Sequence, residues 1–166
     1  SASIGQVHRA RLPSGESVAV KVQHQDIEER VQVDLEMMLG LAQLAELLPD
    51  LARYRPTSTV AEFRRTLLRE LDFDRECRNL QQFGREFSQD ATVHIPQVYA
   101  EVSSRRVLTM EFLDGLKLNA PEKLAASELD LAEVARRGVH LYLEMIFTNG
   151  FYHADPHPGN MVLMED

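Results

Sequence analysis

The sequence predicts an α+β domain of two lobes with a cleft between them. Three observations predict it. Two short strand-like runs flank strong turn chemistry near the start, long helical periodicities fill the middle, and a second set of strands leads into a helix, a turn-rich loop and a last short strand. Hydrophobic residues make up 44% of 166 residues, enough for a core in a domain of ordinary size.

The elements follow in order. Residues 6–11 and 17–23 read as strands around the turn Pro13-Ser14-Gly15-Glu16. In the second strand Val18, Val20 and Val22 share one face, and Ala19 and Lys21 share the other. Residues 27–48 read as a helix on Val31, Leu35, Met38, Leu39, Ala42, Ala45 and Leu48, with Pro49 and Pro56 bracketing a break. A second helix starts near Thr57-Ser58-Thr59, with Glu62 three residues beyond Thr59, and is expected to run unbroken to about Phe87. Residues 95–99 and 106–112 read as two more strands, and Asp114-Gly115 as a turn. Residues 130–149 read as a buried helix stopped by Asn149-Gly150. Residues 153–160 read as loop and 161–164 as a strand. A lobe boundary is expected near 113–118, with residues 1–113 in one lobe and 114–166 opening the other. No internal repeat or low-complexity tract interrupts this order.

Composition excludes some classes. The net charge of −8 disfavours a general nucleic-acid surface, which needs clustered Lys and Arg. The single cysteine, Cys77, can build neither an internal disulfide nor a cysteine zinc site, so a reducing compartment is expected, cytoplasmic or at a membrane surface. Cys77 itself reads as a small structural residue on a helix. No run of ~18 or more apolar residues is present. The opening Ser1-Ala2-Ser3-Ile4-Gly5 lacks an initiator Met and reads as the middle of a motif, so the fold is expected to be incomplete at both ends.

Four stretches could carry chemistry. Lys21 sits on a strand beside the small Ala19, which leaves room for a flat ligand; taken alone, a solvent-facing strand lysine is the readier reading. Glu70-Leu71-Asp72-Phe73-Asp74-Arg75-Glu76 is an acidic cluster in which Asp72 and Glu76 lie one helical turn apart, an arrangement also usual on a solvated face. In the loop 151–160, Asp155 and Asn160 stand five positions apart, as phosphoryl transfer requires of a carboxylate and a metal-binding amide oxygen. His153, Asp155 and His157 could instead hold zinc, although Pro156 and Pro158 restrict how the loop could wrap an ion. Finally, the small residues in Ala2-Ser3-Ile4-Gly5-Gln6-Val7 allow backbone N–H groups to approach phosphates, and equally suit a plain turn. Taken in sequence, these parts follow the order of a protein-kinase-like fold.

Five strings then resemble the UbiB family of atypical kinases, also called the ADCK group: residues 2–8, 18–23, 70–76 with Asn79 following, 107–111 and 150–160. The resemblance implies that ATP or ADP binds with Mg²⁺. Lys21 would hold the α- and β-phosphates and pair with Glu76. Residues Ala2, Ser3, Ile4, Gly5, Gln6 and Val7 would form the alanine-containing phosphate loop, and Glu70 and Asp72 the Glu-x-Asp signature near the nucleotide. Glu111 and Leu113 would offer backbone contacts to adenine, Asp155 would be the catalytic aspartate, and Asn160 an Mg²⁺ ligand. The family's Lys-x-Gly-Gln and Asp-Phe-Gly elements do not occur, and Ala154 stands where ordinary kinases carry Arg. These residues alone should therefore catalyse poorly. Two functions remain: an atypical kinase or ATPase linked to ubiquinone or other isoprenoid lipid metabolism, with lipid or quinone-pathway partners, and a nucleotide-sensing pseudokinase. A purely helical interaction domain would treat the same motifs as surface.

Overall fold

A computed structural model describes residues 4–127, 129–153 and 157–164. Two compact units divide the chain, Ser1–Phe112 and Leu113–Asp166.

In the first unit, β1 (Gly5–Arg11) and β2 (Ser17–Gln23) form an antiparallel hairpin, and β3 (Val107–Glu111) joins the other side of β2. The Leu12 N–H donates to the Glu16 carbonyl at 2.9 Å, and Gly15 takes the left-handed φ of 109° that the connection needs. β2 is the central strand, and its pairing puts Lys21 opposite Val7 and Leu108, and Ala19 opposite Met110. Ala19, Lys21 and Gln23 therefore share a face with Leu108 and Met110.

The long helix expected at 27–48 is α1 (Ile27–Glu46), followed by the single turn α2 (Pro49–Ala52) and by α3 (Pro56–Glu70). α1 and α3 pack along each other. Thr57 Oγ1 donates to Glu46 Oε1 at 2.6 Å and ties the end of one to the start of the other. Leu35 and Ala42 are buried on α1, while Val33, Met37, Leu41 and Leu44 are exposed along its other side.

The unbroken helix expected to Phe87 is two helices. α3 ends at Glu70, and α4 (Phe73–Glu86) starts after Asp72, whose φ of −101° and ψ of 95° are extended. Asp72 Oδ1 accepts from the Asp74 N–H at 3.1 Å and so caps the new helix. The break also answers a burial problem. Leu71 and Phe73 are both about 1% exposed, and residues two apart on one continuous helix point nearly opposite ways. Phe73 and Cys77 pack on Leu108, with Leu80, Val98 and Met110 around them, so α4 lies on β3. Burial pushes the Cys77 thiol pKa up, Asp74 adds to the rise, and Arg78 opposes it.

Residues 95–99 do not form the expected strand. Pro96 has no N–H to give a ladder. The segment touches β3 through a single bridge, Val98 to Met110, and continues into a 3₁₀ turn, Ala100–Val102.

The second unit contains β4 (Leu116–Lys117), α5 (Pro121–Ala125), α6 (Leu131–Glu144) and β5 (Val162–Leu163). β4 pairs antiparallel with β5. A methyl on Gly115 would collide with the Leu163 carbonyl oxygen, so glycine is what lets the two chains approach. Asp130 caps α6 by accepting from the Ala132 and Glu133 N–H groups at 2.9 and 3.2 Å. The expected helix to 149 gives way to a π turn, Met145–Asn149, closed by Gly150 at φ 65°. α6 is not buried as expected: Leu131, Val139 and Leu143 are exposed. Among the described residues no helix is long and apolar enough to cross a membrane.

Candidate active site

Lys21 projects from the middle of β2, and Glu76 from the first turn of α4. Lys21 Nζ donates to Glu76 Oε2 at 2.7 Å. The two side chains are 21% and 38% exposed, so the pair is partly shielded but open to one side. The ammonium also lies 4.7 Å from the centre of the Phe73 ring, whose π face favours a cation. Glu76 further benefits from the positive end of the α4 dipole. Two contacts thus hold the lysine, and its remaining two N–H donors can serve another anion.

The other residues singled out in the sequence lie as follows. Asp72 is committed as the α4 cap, and Arg78 Nη2 stands 4.0 Å from its Oδ2. Glu70 is the exposed last residue of α3. Ala19 is buried two positions before Lys21. Gly5 is buried at the head of β1, where an added methyl would strike the Val22 carbonyl oxygen; Gln6 and Val7 are exposed, and the Ile4 carbonyl accepts from the His24 N–H at 3.1 Å. The Glu111 N–H donates to the Gln97 carbonyl at 2.8 Å, which leaves its own carbonyl as the group it could offer a ligand. Leu113 and Asn160 belong to the second unit. Asn160 is exposed at the end of a 3₁₀ turn, Pro158–Asn160, and its N–H donates to the His157 carbonyl at 2.9 Å. Within that unit Tyr142 Oη donates to the His153 carbonyl at 2.6 Å, tying α6 to the loop. Ala2, Ser3 and Asp155 lie outside the described residues. Among the described residues no three His, Cys, Asp or Glu side chains cluster as metal ligands.

Two contacts had not been expected from the sequence. His94 Nε2 lies 2.8 Å from Glu111 Oε2, which also accepts from the Gln97 N–H at 3.1 Å. Nothing in the spacing of His94 and Glu111 signals this. The buried Gln23 amide donates to the carbonyls of Leu71 and Arg105. Its signal was there to see: a polar residue at the end of a valine-rich strand, two positions beyond Lys21.

Beside this lysine–glutamate pair stands the similarity of the chain as a whole to known proteins. The family model described as the ABC1 atypical kinase-like domain matches residues 1–166. The chain belongs to this family. The ABC1 match extends to curated relatives. AarF domain-containing kinase 1 of Drosophila melanogaster is 40% identical over 164 residues, covering 98% of this chain and 31% of the relative. A probable protein kinase UbiB of Cronobacter sakazakii is 38% identical over 168 residues, covering 100% of this chain and 31% of the relative. The solved complex of Rv3197 with erythromycin from Mycobacterium tuberculosis superposes with a TM-score of 0.79 at 26% identity, over 99% of this chain and 41% of that one. The ABC1 chain thus has the mixed helix and sheet of a kinase-like fold, and spans about three-tenths of the length of these curated relatives.

Proposed function

We propose that this chain carries the nucleotide-binding part of an ATP-dependent atypical kinase or ATPase of the UbiB type. The observation that carries the reading is the 2.7 Å pair of Lys21 with Glu76 in a chain matched along its whole length by an atypical-kinase family. Residues 1–113 serve as the N-lobe and 114–166 open the C-lobe.

The residues fit such a ligand by their chemistry. Lys21 supplies a cation pre-set by Glu76 and Phe73, so little side-chain entropy is lost when phosphate oxygens meet it. Glu70 and Asp72 are the Glu-x-Asp signature that the resemblance sets near the nucleotide, and the Asn160 side chain offers a hard oxygen of the kind Mg²⁺ takes. Gly5 keeps the β1 backbone close against β2 at the start of the strand, the stretch that the resemblance gives to phosphate binding. Ala19 leaves room for the base, and the Glu111 carbonyl with the Leu113 backbone lines its edge. Bound Mg²⁺–ATP supplies the transferable phosphoryl group and the charge that neutralises it. Asp155 orients the acceptor and takes its proton. The setting we assign, from the resemblance to UbiB proteins, is isoprenoid-quinone or lipid metabolism on a reducing side, in the cytoplasm or at a membrane.

The test uses the full-length protein. Lys21→Met should weaken ATP and ADP binding by tenfold or more, measured by calorimetry, and unchanged affinity would reject the nucleotide site. Asp155→Asn should keep the affinity and lose the turnover. Turnover that persists would remove Asp155 from the chemistry, and a wild-type protein that binds nucleotide without turnover would be a pseudokinase.

A further inference from the structure

Gln23 has no role in the reading above, yet it lies on the same face of β2 as Lys21 and is only 8% exposed. Its Nε2 donates to the Leu71 carbonyl and, at 3.4 Å, to the Arg105 carbonyl. The Arg105 carbonyl also accepts from the Phe73 N–H at 3.1 Å. Leu71 closes α3 and Phe73 opens α4, so both bonded groups belong to helix ends, where the backbone lacks intrahelical partners. Gln23 and Arg105 therefore splice the two helices at the break. Three residues beyond Phe73, on the first turn of α4, stands Glu76.

We propose that Gln23 is a positioning residue: by anchoring the Leu71–Phe73 break it sets where α4 begins and so delivers the Glu76 carboxylate to Lys21. A second observation separates this from plain packing. The Gln23 Oε1 is buried and has no hydrogen-bond partner among the described residues. A buried acceptor left unpaired is a cost that an apolar side chain of the same size would remove. The amide is held in place by its donor alone, and that donor acts on the hinge between the helices. The proposal rests on the nucleotide reading for its effect on affinity, but not for its effect on the pair.

The experiment compares full-length wild type with Gln23→Met, which keeps the length and bulk and loses the donor. The first readout needs no nucleotide. Acylation of Lys21 by a small amine-reactive reagent, followed by peptide mass spectrometry, should quicken on the order of fivefold, the factor that one hydrogen bond commonly contributes. Glu76→Gln should quicken it similarly, and the double variant no further. Amide hydrogen exchange should rise in peptides spanning 71–76 and stay unchanged across β1. In nucleotide binding, Gln23→Met should weaken affinity by a similar factor, again without adding to Glu76→Gln. Should Gln23→Met not fold, Gln23→Asn keeps the amide but shortens its reach and should give the same pattern. Wild-type acylation of Lys21, exchange that rises evenly over the whole unit, or losses that multiply with those of Glu76→Gln would each overturn the proposal. If instead Lys21→Met leaves nucleotide affinity unchanged, the nucleotide reading falls, and the acylation and exchange results still decide the role of Gln23.

Discussion

Removing the Lys21–Glu76 pair tests the centre of the site without any ligand. At 2.7 Å the bare Coulomb attraction is about 1.5 kcal/mol in bulk water and about 6 kcal/mol at an effective dielectric of about 20. Neither limit applies. Lys21 is 21% exposed, so it has given up most of its hydration, while Glu76 at 38% still meets solvent, which screens the pair. Exposed pairs contribute roughly 0.2–1 kcal/mol, and breaking a fully buried one costs roughly 3–5 kcal/mol. A coupling of about 1–2 kcal/mol lies between, after the cost of fixing a long lysine side chain. The assay is a double-mutant cycle of Lys21→Met, Glu76→Gln and both together, by urea denaturation of the full-length protein. The double variant should be less destabilised than the sum of the singles by that amount. Raising salt from about 0.15 M to about 1 M should remove only part of the coupling, because the pair is partly shielded. A coupling below about 0.3 kcal/mol, the usual scatter of additive sites, would refute the claim that these groups act as a unit.

Three further outcomes follow from the same geometry. Gly5→Ala should destabilise the β1–β2 hairpin by about 1–3 kcal/mol, seen as a lower melting temperature, because its methyl would meet the Val22 carbonyl, whose carbon would be 3.1 Å away. Asp72→Ala should cost about 1 kcal/mol by uncapping α4, whereas Asp72→Asn should keep the cap and stay within about 0.5 kcal/mol. If Asp72 also serves the nucleotide site, the Asn variant should still lose nucleotide affinity. The Cys77 thiol, raised above its ordinary 9.0 by burial, should react with iodoacetamide at pH 8 more slowly than in urea-unfolded protein. The folded state holds this proton more tightly than the unfolded chain does. Its contribution to stability is therefore complete below about pH 9 and declines as pH rises through the folded pKa.

The turn at Gly15, the alternation in β2 and the periodicity of α1 were legible because each rests on local chemistry. The motif strings were legible for the same reason, and they led to the family. The break at Leu71–Asp72 was not, although Asp72 is a strong cap type. Helical periodicity continues on both sides of it, and only the need to bury Leu71 and Phe73 together reveals the kink. β4 and α5 were overlooked because their signals are short: two residues in one case, and in the other a proline at the first helical position, Pro121. Residues 95–99 misled because an apolar run with alternation satisfies the strand pattern while Pro96 cannot join the ladder. Of the candidate site, the meeting of Lys21 with Glu76 was expected from the resemblance. Phe73 beneath the ammonium and Gln23 behind the helix break depend on tertiary contacts that no spacing encodes.

α1 is greasy on both flanks, with Leu35 and Ala42 turned inward and Met37, Leu41 and Leu44 turned out. Such a surface behaves like a weak detergent. In a concentrated solution of these residues alone, molecules should cling reversibly along this stripe, and light scattering should grow with protein concentration. Leu41→Glu together with Leu44→Lys should disperse them without lowering the melting temperature, since neither side chain supports the interior.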